Sequence, residues 1–85
     1  MDFRWDPLKN EWLKQTRGLS FEAIIRATLV SVRSHPTRGN QKLLYFELND
    51  YIWVVPCVKR GDEVFLKTAF PSRKHTKLWA EGELE

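Results

Sequence analysis

Arg73, Lys74, His75 and Lys77 fall together in the stretch "SRKHTK", just after an apolar run that ends at Phe70. Lys67 precedes them by a few residues, and Lys59 and Arg60 stand one turn earlier in the chain. These residue types suit the handling of phosphate. Cleavage of RNA by its own 2′-hydroxyl needs a base for that hydroxyl, an acid for the 5′-oxygen, and fixed positive charge near the phosphorus in the transition state. Histidine titrates near neutrality, the arginine fork matches phosphate oxygens, and lysine supplies a point charge. His75, Arg73 and Lys74 are therefore the candidate catalytic residues, and Lys67, Lys77, Lys59 and Arg60 the candidate RNA-binding ones. A plainer reading stands beside this one: a solvated helix start in a basic protein. Cations at a helix N-terminus oppose the helix dipole, which argues for placement with a purpose.

The rest of the chain excludes several other chemistries. His35 and His75 are isolated from other metal-ligating residues, and no HExxH or CxxC pair occurs, so zinc chemistry is not expected. The four glycines are scattered as turn formers, with no phosphate-binding loop among them. No cofactor is implied. Cys57 is the one cysteine, set within "YIWVVPCV"; it reads as a small buried hydrophobe, in keeping with a reducing cytoplasm. The N-terminal segment is charged and unlike a signal peptide, and no apolar run approaches a membrane span, so a soluble cytoplasmic protein is expected.

The elements that must position the cluster follow from periodicity and caps. The 85 residues allow one domain, residues 1–85, around one small core to which Trp5, Trp12, Trp53 and Trp79 are expected to contribute. "FRW" reads as a short first strand. Asp6, Pro7 and Gly18 bound a helix in which Leu8, Trp12 and Leu13 offer an apolar face, and Ser20 caps a second helix running through Ile24 and Ile25 to Thr28. A strand follows at Val30 and Val32, then the loop "HPTRGN", in which His35 reads as an ordinary loop residue. Three further runs, "QKLLYFEL", "YIWVVPCV" and "EVFLKTAF", are joined by the tight turns Asn49-Asp50 and "KRGD", an antiparallel meander. Pro56 implies an edge position or a bulge. In the last run Val64, Leu66, Thr68 and Phe70 fill one face and leave Lys67 on the other with Phe65. Ser72 caps a terminal helix that returns Leu78 and Trp79 to the core. The fold class is α+β: two N-terminal helices packed on a four-stranded antiparallel sheet, with a short N-terminal strand and a C-terminal helix.

Charge is uneven along the chain. Residues 1–58 carry 8 basic and 6 acidic side chains, residues 59–77 carry 6 and 2, and the last eight carry three Glu and no base. Positive charge thus concentrates between Lys59 and Lys77, which suits a polyanionic partner.

"FRWDPLKNEWLKQTRGLSFEAI" resembles the N-terminal signature of BrnT-family toxins: a strand ending in Trp-Asp, a Pro-Lys-Asn helix, a basic residue with Gly, and Ser-Phe-Glu opening a second helix. Here these are Trp5, Asp6, Pro7, Lys9, Asn10, Arg17, Gly18, Ser20, Phe21 and Glu22. The resemblance implies a RelE-like fold and the toxin of a type II toxin-antitoxin pair, an endoribonuclease that cleaves mRNA and inhibits translation. It further implies two partners: a cognate antitoxin, a small DNA-binding protein through which alone operator DNA is reached, and mRNA, free or on the ribosome. No membrane partner is implied. Arg73 and Lys74 correspond to a basic position of such toxins, whereas His75 is selected by its chemistry alone. The alternative is a non-catalytic module of the same fold that binds a protein partner through its basic surface.

Overall fold

A computed structural model describes residues 2–84. Its elements in chain order are β1 (Asp2–Trp5), α1 (Pro7–Arg17), α2 (Phe21–Ile25), β2 (Thr28–Ser34), β3 (Gln41–Leu48), β4 (Tyr51–Arg60), β5 (Glu63–Leu66), β6 (Phe70–Pro71) and α3 (Arg73–Ala80). No helix among the described residues is long and apolar enough to cross a membrane.

The expected meander is present and has grown into a six-stranded mixed sheet of order β1-β5-β4-β3-β2, with β6 also pairing β4. The pairs β2–β3, β3–β4 and β4–β5 are antiparallel, but β1 joins β5 in parallel, with Arg4 opposite Phe65. A purely antiparallel four-stranded sheet is thereby corrected. Asn49 and Asp50 turn β3 into β4 with φ of 53° and 63°, the left-handed conformation that a two-residue hairpin of this hand requires and that Asn and Asp tolerate. The last apolar run is broken: β5 ends at Leu66, and β6 resumes at Phe70 against a different stretch of β4. Phe70 is consequently 38% exposed rather than part of the core face.

That break accommodates Pro56. The residue lies within β4, a central strand, in plain register with Leu43. Its carbonyl accepts the Lys67 N–H at 2.9 Å, so its own donor-less nitrogen points to the same side, into the gap between β5 and β6. The irregularity expected at Pro56 falls on the partner: β4 runs on unbroken, while the pairing shifts by one residue, from Cys57 opposite Leu66 to Val54 opposite Phe70; a second register shift lies in β2, between Leu29 and Ser31.

The two faces of the sheet carry different helices. On one, α1 and α2 cover Leu44, Phe46, Val55, Cys57, Val64 and Leu66, with Leu13, Phe21 and Ile24 fully buried between. On the other, Trp79 of α3 and Leu84 pack over Tyr45, Ile52 and Val54. Burial of these side chains supplies the main driving force for folding.

α1 turns a different side to the core from the one its apolar spacing predicts. Leu13 and Asn10 are buried, while Leu8 is 79% and Trp12 39% exposed. The reason is a polar clamp. Asn10 Nδ2 donates to Glu22 Oε1 at 2.6 Å, and Asn10 Oδ1 accepts the Phe21 N–H at 2.8 Å, so a buried amide tethers α1 to the first turn of α2. The hydrogen bond from Asn10, followed by local backbone donation, holds the Glu22 carboxyl below its ordinary range. Trp12 lies outside between two cations, with Lys9 Nζ 4.1 Å and the Arg17 guanidinium 4.8 Å from its ring centre. Arg17 also donates to the Ala69 carbonyl, joining the end of α1 to the β5–β6 break. α2 is only five residues long; Thr28 already belongs to β2.

Each residue of the N-terminal signature thus has a place in this unit. Asp6 caps α1 by accepting the Leu8 N–H at 2.9 Å, and Gly18 closes it at φ 69°, a conformation that glycine adopts without strain. Ser20 accepts the Ala23 N–H at 3.1 Å, and the Trp5 and Phe21 rings lie 5.6 Å apart. The motif is a folding device.

Candidate functional site

α3 is fixed to the sheet at its first turn. The Ser72 N–H donates to the Ile52 carbonyl at 2.9 Å, and the Ile52 N–H donates to Thr76 Oγ1 at 2.8 Å. Ser72 caps the helix by accepting the His75 N–H at 3.1 Å. These bonds bring the His75 imidazole onto the sheet, 4.8 Å from the buried Tyr45 ring and tilted 35° to it. Nδ1 lies 2.7 Å from Ser72 Oγ. With Nδ1–H donating to that oxygen, Nε2 keeps its lone pair, the tautomer a general base needs.

Partial burial, then the positive charges of Lys74 and Arg33, hold the His75 pKa below its ordinary value. Both effects favour the neutral imidazole. Arg73, Lys74 and Lys77 are exposed on the outer side of α3, with Arg73 and Lys77 four residues apart and so on one stripe.

A second group lies on the same face of the sheet. Alternation along β4 places Ile52 and Val54 under α3, and Val58 and Arg60 further along that face. There Arg4, Val58, Arg60, Glu63, Phe65 and Lys67 line an open groove of about 300 Å³. Four residues of strand separate Val54 from Val58, roughly 13 Å. In the groove the Arg4 Nε lies 3.3 Å from Glu63 Oε2 across β1 and β5.

The basic cluster read from the sequence is therefore divided into three. Arg73, Lys74, His75 and Lys77 share α3; Arg60 and Lys67 share the groove; Lys59 points to the opposite face. Lys59 and Lys42 there border an apolar groove of about 190 Å³ with Leu29, Val32, Leu44, Cys57 and Val64. Arg4, Arg33 and Ser72 join these groups without having been singled out for them. Alternation in "DFRW" places Arg4 opposite Phe3 and Trp5, but which strand β1 would join was not readable locally. His35 is a turn residue: its Nδ1 accepts the Thr37 and Arg38 N–H groups, each at 3.2 Å. Burial raises the Cys57 thiol pKa, which suits a core residue. No group of three or more metal-ligating side chains comes together among the described residues.

Replacing Ser72 by Ala is expected to cost about 1 kcal/mol, the usual loss for an N-cap. In thermal unfolding this appears as a decrease of roughly 4–8 °C for a domain of this size, and Ser72→Asp, which keeps a cap oxygen, should recover most of it. A change within 1 °C for Ser72→Ala would show that the cap does not hold α3.

The chain matches no family model, no curated protein and no solved structure among those compared.

Proposed function

We propose that the protein is the toxin of a type II toxin-antitoxin pair, RelE-like in arrangement, and an endoribonuclease that cleaves mRNA and so inhibits translation. The observation that carries this reading is the setting of His75: held against Ser72 and Tyr45, and with its pKa lowered by partial burial and then by the nearby charges of Lys74 and Arg33. A neutral imidazole next to fixed positive charge combines a base with an anion site. The resemblance of residues 3–24 to the BrnT signature supports the same reading.

In this mechanism His75 Nε2 takes the proton of the 2′-hydroxyl. The 2′-oxygen attacks phosphorus, the bond from phosphorus to the 5′-oxygen breaks, and solvent protonates the leaving oxygen. Arg73 and Lys74 stabilise the added charge on the phosphate oxygens, with Lys77 extending the positive surface along α3. The products are a 2′,3′-cyclic phosphate and a 5′-hydroxyl. Purified protein incubated with single-stranded RNA, alone and with programmed ribosomes, tests this through the chemistry of the new ends. Fragments bearing cyclic phosphate support the reading, and intact RNA under both conditions contradicts it.

A second reading, a non-catalytic module that docks a protein, is favoured by a specific feature: Leu29 and Val32 are 43% and 54% exposed beside the apolar groove, on the edge strand β2. In the toxin reading this same region receives the antitoxin, whose DNA-binding part reaches operator DNA. The RNA-end assay separates the two readings.

A further inference from the structure

The groove on β1, β5 and β4 has a composition that α3 does not explain. Its floor is aromatic: Phe65 is 40% exposed, opposite Val58 on one neighbouring strand and Arg4 on the other. Three adjacent strands thus present Val58, Phe65 and Arg4 in a row roughly 10 Å wide. The exposed part of the ring lies between charged neighbours on its own strand, Glu63 and Lys67.

The cations are arranged around that ring. Arg60 stands two residues beyond Val58 and Lys67 two residues beyond Phe65. Because β4 and β5 are antiparallel, the two lie on opposite sides of the ring along the strand direction, each roughly 7 Å away. Arg4 has its charge taken up by Glu63, whereas Arg60 and Lys67 form no ion pair among the described residues. Two uncommitted cations therefore bracket one aromatic platform, and their long stems let the charged heads converge above it.

A bare phosphate would use the cations and leave Phe65 and Val58 idle. A duplex keeps its bases stacked inside and offers none to the ring. A nucleotide in a single strand uses every part: its base has a face for the ring, and its flanking phosphates fall to either side. Glu63 accepts from hydroxyl or amino groups only, so it suits the sugar or the base edge.

We propose that this groove is a subsite for one unstacked nucleotide of single-stranded RNA, with its base on Phe65 and Val58 and its neighbouring phosphates on Arg60 and Lys67. The inference rests on the ribonuclease reading for the identity of the nucleic acid, and it lays the strand along the same sheet face as His75.

Binding of a short fluorescently labelled RNA, single-stranded or annealed to its complement, tests the subsite by anisotropy. The protein carries His75→Gln so that the RNA stays whole. The single strand is expected to bind more tightly than the duplex. Phe65→Ala should weaken binding about ten- to hundredfold, and Phe65→Tyr should keep most of it. Lys67→Gln should make the slope of log K against log salt shallower by about 0.7, the loss of one phosphate contact. Melting curves of these variants show whether each is folded at the assay temperature.

Unchanged binding by a folded Phe65→Ala variant, or preference for the duplex, overturns the subsite. The ribonuclease reading survives that result if the wild-type chain still cuts RNA. Phe65-dependent binding by a wild-type chain that never cuts RNA supports the subsite and overturns the ribonuclease reading instead.

Discussion

Substitution of His75 by Gln should lower RNA cleavage about 10²- to 10⁴-fold, the usual contribution of a positioned proton-transfer group. The fold should persist, because the capping bond at Ser72 uses the backbone N–H of residue 75 and the ring is only partly buried. Cleavage by the wild type should fall on the acid side as His75 takes up a proton, with its midpoint below the ordinary histidine value of 6.5. Removing one of the causes should move that limb: Lys74→Gln takes away a like charge and should shift the midpoint upward. A midpoint above 6.5 in the wild type, or an unchanged limb in Lys74→Gln, would place the titrating group elsewhere.

The same shift has a stability consequence of known sign. Below the unfolded value the unfolded chain binds a proton that the folded imidazole resists, so unfolding becomes easier. The His75 contribution is complete above pH 6.5 and is lost as the pH falls through the lower, folded-state pKa. His75→Gln should flatten this part of the stability profile.

Asn10→Ala should be the most damaging polar substitution in the fold, at about 2–4 kcal/mol. It removes both bonds of the clamp and leaves the buried Phe21 N–H without its acceptor. Against a total of roughly 4–13 kcal/mol for a chain of this length, that is a large share. Thermal or urea unfolding would measure it. Asn10→Asp gives a sharper contrast, since it keeps an acceptor for Phe21 but sets a second carboxylate against Glu22. Its loss should be greater at pH 7 than at pH 4, where carboxyl groups begin to protonate. A cost below about 1 kcal/mol for Asn10→Ala would mean that α1 and α2 are held by apolar packing alone.

Local signals made much of this architecture readable. Asp6, Ser20 and Ser72 each cap the helix they announce, Gly18 ends α1 in the left-handed conformation, and Asn49-Asp50 makes the tight turn. What escaped depends on partners distant in sequence. The buried side of α1 contains Asn10, a polar residue satisfied from α2, so apolar spacing pointed instead to Leu8 and Trp12. β1 finds β5 across some 60 residues, and that pairing brings Arg4 to the groove. The division of the basic cluster was partly accessible: Lys59 and Arg60 are neighbours in one strand, and strand alternation alone sends them to opposite faces. The approach of Arg33 to His75 required the order of β2, β3 and α3 and could not be read from local pattern.

Tightly induced expression of the wild type beside Arg73→Ala and His75→Ala would show whether the basic start of α3 gives this protein a toxic RNA-cleaving activity. Growth, soluble protein and total RNA would be followed in each culture. Arrest with loss of mRNA is expected in the wild type, relieved by both substitutions at equal soluble protein. Normal growth with intact mRNA in all three cultures would contradict it.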